Sequence, residues 1–298
     1  MSSKVTIDTC DSEPIAFPSA IQSHGMLIVL DQELKIRQIS ENCLQFLGFA
    51  PIDVLDNCIS KYLDDEQYEA LKIYLAIENL KALVPLPVKF CLTDGACSIF
   101  HCIAKRYSNF VIVELEHIFD QPQELSLPSS LSLAIENLQS KRKSTTALQS
   151  AAECVKELTG YDRVLIYKFD SDWHGEVVAE AAGNLPESYL GLHFPASDIP
   201  PQARELYKRN LLRMIVEVNY AEVKITPLIN PVTNELLDMS DCILRSVSPI
   251  HVEYLSNMGV KATLTISLIV NGQLWGLIAC HHYSPKFLSG WLRTACDM

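Results

Sequence analysis

The sequence predicts an α+β protein of two domains, each an antiparallel sheet with flanking helices. Its 298 residues are enough for two domains of ordinary size. Alternating apolar runs meet at the tight-turn pairs Asp94-Gly95 and Asn271-Gly272, one in each half of the chain, which favours antiparallel hairpins. Stretches with helical spacing lie between these hairpins. Hairpins with interspersed helices are typical of α+β domains.

The first domain is expected over residues 23–119, after an N-terminal segment at 1–22. Prolines and serines at 120–130 predict a linker that ends it. The predicted elements of this domain are two strands at 25–40, helices near 41–48 and 65–80, the hairpin at Asp94-Gly95 and a strand at 110–118.

The second domain is expected over residues 131–298. Apolar residues recur with helical spacing from 130 to 159 and Gly160 stops the pattern, which predicts one long helix. Its middle is polar all round, so the helix would lie on the surface. It could pair with a partner subunit or serve only as an exposed connector, and the sequence favours neither. The other predicted elements are strands at 162–170 and 175–182, a helix at 200–213, and the hairpin strands 261–270 and 273–282.

Composition limits the classes of function. The chain is 48% hydrophobic and 20% charged, which is typical of a soluble globular protein. A net charge of −12 argues against general attraction to nucleic acid or to an anionic membrane. No apolar run is long enough to span a membrane, and the N-terminus lacks an export signal. We therefore expect a cytoplasmic location.

Ten cysteines without an export signal are expected to stay reduced. The tightest group of candidate metal ligands is Cys91, Cys97, His101 and Cys102. Strict pairing around a two-residue turn would send Cys97 and His101 to one face of the hairpin and the other two to the opposite face. We therefore predict no metal site. Cys10 stands apart, because it lies among acids and outside any apolar pattern.

The first stretch suited to ligand binding is FPASDIPPQARELYKRNLLR at 194–213. A proline disfavours helical geometry in the residue before it, so Asp198 and Ile199 are predicted to be extended before a helix that begins at Pro200 or Pro201. The carbonyl groups of extended backbone outside a helix are free to accept hydrogen bonds from a ligand. The alternative is that Asp198 or Ser197 only caps the helix. Arg213 would sit at the end of that helix.

The second stretch is DCILRSVSPIHVEYLSNMGV at 241–260. Ser248 as cap and Gly259 as stop predict a short helix from Pro249 to Met258. His251, Tyr254 and Met258 would share one face, suited to a large flat ligand with a wet edge. The positive end of the helix would favour a neutral histidine. A structural histidine is the alternative.

Arg245 lies just upstream of this helix, where a guanidinium can grip a carboxylate. A surface salt bridge is the alternative for this residue.

The third stretch is the hairpin of residues 261–282. Thr263 and Thr265 share a face. Strict pairing at Asn271-Gly272 would place His281 opposite Ala262, away from the threonines. All three side chains can line one pocket only if a bulge or a longer turn intervenes.

Together these stretches offer arginines for carboxylates, aromatic walls, hydroxyls and histidines. They include no nucleophile with its base and orienting group, so we expect no enzyme. A conjugated dicarboxylate ligand suits them best.

Four motifs now identify a resemblance over nearly the whole chain. They are EPIAFPSAIQSHG in the opening segment, PASDIP at 195–200, LRSVSPIHVEYLSNMGV at 244–260 and LWGLIACHH at 274–282. In this order they resemble the PAS–GAF chromophore-binding module of the phytochromes, and of bacteriophytochromes in particular. The resemblance implies a PAS-like first domain, a GAF second domain and a figure-of-eight knot. In that knot, Ile21 would pass through a lasso at about 224–240.

The resemblance implies a bilin chromophore that isomerises in red and far-red light. Many phytochromes attach the bilin to a GAF cysteine directly before the motif histidine, but Ile250 holds that position here. Bacteriophytochromes instead use a cysteine upstream of the PAS domain and bind biliverdin. Cys10 fills that place, which implies a covalent thioether to biliverdin.

The resemblance also implies roles for individual residues of the second domain. The Asp198 carbonyl would accept from the inner pyrrole N–H groups, and His251 would lie beside those rings. Arg213 and Arg245 would hold a propionate. Further binding residues implied are hydroxyls from Tyr207, Thr263 and Thr265, His281 at the last ring, the wall of Tyr167, Phe194 and Tyr254, and the flanking Ile199, Ser248 and Ile250.

Several wider expectations follow from the resemblance. The full-length protein would be a sensor histidine kinase with a response-regulator partner, and the long helices would form a homodimer. The chain stops before any PHY domain, so we expect weakened photoconversion and some near-infrared fluorescence. The alternatives are a GAF module that senses a cyclic nucleotide, or an engineered reporter, against which the intact Asp198 argues.

Overall fold

The computed structural model describes residues 12–77, 85–91, 97–117, 147–183 and 185–297. Their packing forms two compact units. The first contains the described residues of Ala16–Asp120 and Tyr220–Val247, and the second contains those of the remaining chain. Four predicted features lie outside the described residues: Cys10, the turn predicted at Asp94-Gly95, the linker and the start of the predicted long helix.

The first unit is built on a seven-stranded sheet with the order β1-β11-β3-β2-β6-β5-β4. Its strands are β1 (Ala20–Ile21), β2 (Gly25–Asp31), β3 (Ile36–Ser40), β4 (Leu86–Cys91), β5 (Cys97–Arg106), β6 (Phe110–His117) and β11 (Val223–Thr226). Its helices are α1 (Cys43–Leu47), α2 (Pro51–Val54) and α3 (Asp65–Ala76), and the 220–247 segment adds the small hairpin of β12 (Ile229–Asn230) and β13 (Glu235–Leu236).

Strand β2 runs through the centre of this sheet and is buried on both faces. Met26 and Ile28 pack into the core on one face, whereas Leu27 and Val29 pack on the other face with Leu244. The continuous run MLIVL explains this, since a strand covered on both sides needs apolar residues at every position. The 220–247 segment supplies the cover on the second face.

Strand β1 lies between two parts of the 220–247 segment. Ala20 and Ile21 pair with Lys224 and Val223 on one side. On the other side Ile21 bridges Arg245, and the Gln22 N–H donates to the Leu244 carbonyl at 2.8 Å. Ile21 is fully buried. This placement agrees with passage through a lasso, and the knot itself stays a prediction.

The hairpin of β4 and β5 has a different register from the one predicted. Cys91 is the Cα partner of Cys97, so the predicted pairing, with these cysteines on opposite faces, is wrong. Cys97 is also disulfide-bonded, contrary to the expectation of free thiols.

The second unit is built on a six-stranded sheet with the order β10-β14-β15-β7-β8-β9. Its strands are β7 (Arg163–Phe169), β8 (Gly175–Ala182), β9 (His193–Phe194), β10 (Leu212–Ile215), β14 (Ala262–Val270) and β15 (Gln273–His282). Its helices are α4 (Ala147–Thr159), α5 (Pro201–Arg209), α6 (Pro249–Asn257) and α7 (Gly290–Asp297). No helix in the described part of the chain is long and apolar enough to cross a membrane.

Two predicted helices of this unit have different outcomes. Helix α4 covers the described end of the predicted long helix, and Gly160 follows it with φ +65° as predicted. The helix predicted at 200–213 is too long, because Asn210 leaves helical geometry and α5 ends at Arg209. Leu212–Ile215 instead adds an edge strand to the sheet, with Leu212 and Met214 buried. Arg213 is therefore a strand residue.

Candidate functional site

A cavity of about 420 Å³ lies within the second unit. Its size falls in the range of small-molecule sites, which are about 300–1,000 Å³. All the predicted binding residues except Arg245 line it. They are Tyr167, Phe194, Asp198, Ile199, Tyr207, Arg213, Ser248, Ile250, His251, Tyr254, Thr263, Thr265 and His281. The structure thus brings together residues that span more than a hundred positions of sequence.

The hairpin of β14 and β15 forms one wall. A register shift between Leu268 and Ile269 makes Thr263 the direct partner of His281. The conditional prediction is therefore confirmed, because a bulge brings Thr263, Thr265 and His281 to the same cavity. The neighbouring His282 contacts Asp162 instead, with 2.7 Å between Nδ1 and Oδ2.

Edge strand β10 adds the positive charge of the site. Arg213 is the Cα partner of Thr265, so both side chains reach the cavity from adjacent strands. Within the described residues, Arg213 Nε and His281 Nδ1 are buried and have no hydrogen-bond partner. Other buried atoms of the described residues, such as Gln38 Oε1, also lack partners, but Arg213 and His281 line the cavity, where a polar ligand can supply the missing partner.

Helix α6 forms the opposite wall. Ser248 caps it by accepting from the Ile250 N–H at 3.3 Å, and Pro249 occupies the first turn. The rings of His251 and Tyr254 stack with centroids 6.4 Å apart, and Met258 also lines the cavity, so the predicted shared face is confirmed. Burial, helped by the charge of Arg213, lowers the pKa of His251 to about 3. Its imidazole is therefore neutral near pH 7.

His281 on the strand wall is also neutral. Burial lowers the pKa of His281 to about 4, and the positive charge of Arg163 acts in the same direction. Each neutral imidazole offers one donor and one acceptor to the cavity.

The segment before α5 differs in part from its prediction. Ala196–Asp198 form a 3₁₀ turn, in which the Asp198 N–H donates to the Pro195 carbonyl at 3.1 Å, and Ile199 leaves helical geometry with φ −129° and ψ +85°. The extended geometry predicted for Asp198 is therefore wrong. Neither Asp198 nor Ser197 caps α5, since Pro200 holds the cap position. The capping alternative is therefore wrong. Partial burial raises the pKa of the Asp198 carboxyl.

Aromatic rings complete the walls. The Tyr167 and Phe194 rings lie 5.9 Å apart with their planes tilted by 46°. A Cβ atom at Gly175 would overlap the Tyr167 ring, so this glycine is needed for the position of the ring. Tyr254 is 38% exposed and lies at the rim of the cavity. The lining thus combines flat apolar surfaces with a few polar groups.

Two family models match the sequence: a PAS fold over residues 10–118 and a GAF domain over residues 144–298. Cyanobacterial phytochrome B of Nostoc sp. is 43% identical, over 99% of this chain and 39% of its own length. A bacteriophytochrome of Pseudomonas aeruginosa is 39% identical, over 95% of this chain and 38% of its own length.

Two solved structures extend the match to the fold. The chromophore-binding domain of bacteriophytochrome RpBphP3 from R. palustris has a TM-score of 0.89 and 38% identity, covering 97% of this chain and 94% of that one. The chromophore-binding domain of Stigmatella aurantiaca phytochrome P1 has a TM-score of 0.90 and 41% identity, covering 97% and 95%. The chain belongs to the phytochrome family.

The chain is thus a PAS–GAF photoreceptor module of the phytochromes, and the alternative of a cyclic-nucleotide sensor is not favoured. It spans well under half the length of the Nostoc and Pseudomonas phytochromes named above.

Arg245 is the one predicted phytochrome-site residue that the cavity lining does not include. It belongs to the first unit, where it is 6% exposed and bridges Ile21. The alternative of a surface salt bridge does not fit this burial.

The cavity also contains residues that the sequence reasoning missed. Helix α6 contributes Glu253 and Asn257, which lie at helical spacing from Ile250 and Tyr254, so the spacing contained that information. Gln202 lies within the first motif stretch, three residues after Ile199, whereas Tyr189 comes from a stretch without a distinctive pattern. Glu13 and Ile15 bring the N-terminal segment to the cavity.

Proposed function

We propose that this chain is a light-sensing module that binds biliverdin covalently through Cys10. The proposal rests on one observation above all: the residues at the phytochrome motif positions line a single cavity, in which Arg213 and His281 have buried atoms without partners. A bilin, when bound, supplies red absorption and a double bond that isomerises.

The residues of the cavity fit a dicarboxylate. Arg213 can donate to a carboxylate in a planar fork, and such charge-assisted bonds are roughly twice as strong as neutral ones. Thr263 and Thr265 offer hydroxyls beside it, and Tyr207 lines the same cavity. We assign the propionates to this group, with Arg245 as a further candidate.

The same cavity fits a flat polar ring system. Asp198 lines it at a 3₁₀ turn, and its carbonyl can accept from pyrrole N–H groups. The neutral imidazole of His251 can donate with one nitrogen and accept with the other. Tyr167, Phe194 and Tyr254 offer flat ring faces along the remaining wall, and we assign these rings and His281 to the last ring of the bilin.

The N-terminal segment supports Cys10 as the attachment residue. Glu13 and Ile15 line the cavity, and three residues of extended chain span at most about 11 Å. Cys10 is therefore within reach of the same cavity. Ile250 lines the cavity at the alternative attachment position but offers no sulfur.

The attachment is tested by incubating the apoprotein with biliverdin and measuring the red absorbance of the protein after denaturation. We expect covalent absorbance with the wild type and none with Cys10→Ala. Cys58→Ala serves as the matched control, since Cys58 lies in the first unit and should leave the adduct unchanged. An adduct that survives Cys10→Ala would overturn the attachment.

The same proposal extends to the whole protein. We infer a cytoplasmic sensor histidine kinase that acts on a response regulator and dimerises through the long helix, with Ile21 threaded through the 224–240 lasso. Light scattering of the purified chain tests the dimer, and a monomer at micromolar concentration would contradict it.

A further inference from the structure

Arg204 connects residues 196–199, called here the Asp198 segment, to Trp173, which lies outside the cavity. Its Nη1 donates to the Ile199 carbonyl at 2.9 Å. Its guanidinium carbon lies 4.6 Å from the centre of the Trp173 ring, within the distance of a cation–π contact. Neither Arg204 nor Trp173 lines the cavity. The pair therefore lies behind the wall that carries Asp198.

Trp173 is held in place by its own loop. Asp170 Oδ1 accepts from the backbone N–H groups of Asp172 and His174, each at 2.9 Å. Trp173 has φ +67°, a conformation that residues other than glycine rarely adopt. Such positions persist when the surrounding bonds determine them, and they concentrate at functional sites. This loop thus presents a fixed ring to Arg204.

The same tryptophan begins a row of aromatic rings that leads to the cavity. Trp173 lies 5.4 Å from Phe169, and Phe169 lies 5.3 Å from Tyr167, between ring centroids and with edge-to-face geometry. Tyr167 lines the cavity next to Phe194. Trp173 therefore contacts both the aromatic wall, through Phe169, and the Asp198 segment, through Arg204.

The two contacts explain why position 204 holds an arginine. A planar guanidinium can stack its face on an indole while its edge donates to a carbonyl, whereas the ammonium of lysine is a point charge. Lys208 shows the difference one turn later on α5. Its Nζ lies 6.0 Å from the centre of the same ring, but it pairs with Glu205 at 2.7 Å.

We propose that Arg204 and Trp173 are positioning residues that fix the backbone of Asp198 and Ile199 at the cavity. The inference rests on the proposed function, because the oriented carbonyl of Asp198 matters only if a bilin binds there. The first test of this inference needs no bilin, so the inference and the proposed function can fail separately.

The first test is residue-resolved hydrogen exchange in the apoprotein. We expect Arg204→Gln to speed exchange of the Asp198 amide about tenfold, since hydrogen bonds to charged groups are among the strong ones. Trp173→Leu should speed it by a smaller factor, and Arg204→Lys should fall between wild type and Arg204→Gln. Lys208→Gln, the matched control on the same ring, should match the wild type.

The second test uses the biliverdin adduct and distinguishes positioning from general stability. We expect Arg204→Gln to broaden and weaken the red band relative to the near-ultraviolet band, with Arg204→Lys recovering part of the change and Lys208→Gln none of it. Unchanged exchange at Asp198 in both Arg204→Gln and Trp173→Leu would overturn the inference. Equal acceleration throughout β14 and β15 would also overturn it, because the role would then be structural only.

Discussion

The two units use buried polar groups in different ways. In the first unit, Glu114 accepts from the Leu244 N–H at 2.7 Å, and Gln38 donates to the Pro227 carbonyl at 2.8 Å, so buried polar side chains fasten the 220–247 segment to the sheet. In the second unit, Arg213 and His281 turn buried atoms without partners toward a cavity. Within the part of the chain that the structure describes, Glu114 Oε2 and Gln38 Oε1 also lack partners, but each of these side chains joins two parts of the chain through its other polar atom. Arg213 and His281 instead line a cavity that a ligand can fill.

Breaking the first arrangement should have the largest effect on folding. Glu114 is fully buried, and Glu114→Ala would leave the Leu244 N–H without its acceptor, at a cost of about 3 kcal/mol in the free energy of unfolding. Glu114→Gln keeps an acceptor oxygen and should cost less. Urea unfolding measures both, and equal losses would contradict the assigned hydrogen bond.

The pH dependence of the first unit provides a related check. Burial raises the pKa of Glu114 to about 7, so the folded state holds a proton that the unfolded chain releases near pH 4.5. The stabilisation is present below pH 4.5 and is lost as the pH rises through 7. Glu114→Gln should flatten this part of the stability profile, and an unchanged profile would show that Glu114 does not titrate there.

Breaking the second arrangement should affect binding instead of folding. Arg213→Met removes the charge but keeps the length, and should weaken non-covalent biliverdin binding to a Cys10→Ala background by about 2 kcal/mol, roughly thirtyfold. The apoprotein should lose little stability, because the Nε atom of the Arg213 guanidinium is buried without a hydrogen-bond partner among the described residues. Arg209→Met, exposed at the end of α5, is the control. A large loss of stability without a loss of affinity would contradict this assignment.

A smaller effect is expected from the aromatic wall. Gly175→Ala would place a methyl group against the Tyr167 ring and should cost about 1–2 kcal/mol through overpacking. Gly183→Ala is the matched control, since a Cβ atom there meets nothing within 4 Å. Thermal unfolding compares the two, and equal midpoints would show that the ring can move aside.

Local sequence patterns correctly predicted helix α6, whose start, end and cavity-lining face depend on residues close together in the chain. The Ser-Pro start and the glycine stop predicted α6, and its spacing predicted the shared face of His251 and Tyr254. Helix α6 ends at Asn257, one residue before the predicted end. Such elements depend on neighbours in sequence, which a pattern contains.

Features that depend on long-range packing could not be predicted in this way. The end of α5 at Arg209 and the strand that carries Arg213 depend on docking against β14. The bulge near Leu268 sets the register of His281. From the sequence it was possible to predict that a bulge or a longer turn was needed, but not where it lies. The burial of Arg245 beside Ile21 depends on chain segments more than two hundred residues apart.

The difference between the two units is tested most directly by hydrogen exchange of the whole chain with and without biliverdin. We predict protection at residues 194–200 and 249–258 of the second unit, with little change in β2 and β6 of the first. Protection confined to the first unit, or none at the cavity segments, would contradict the claim that the second unit is completed by a bilin.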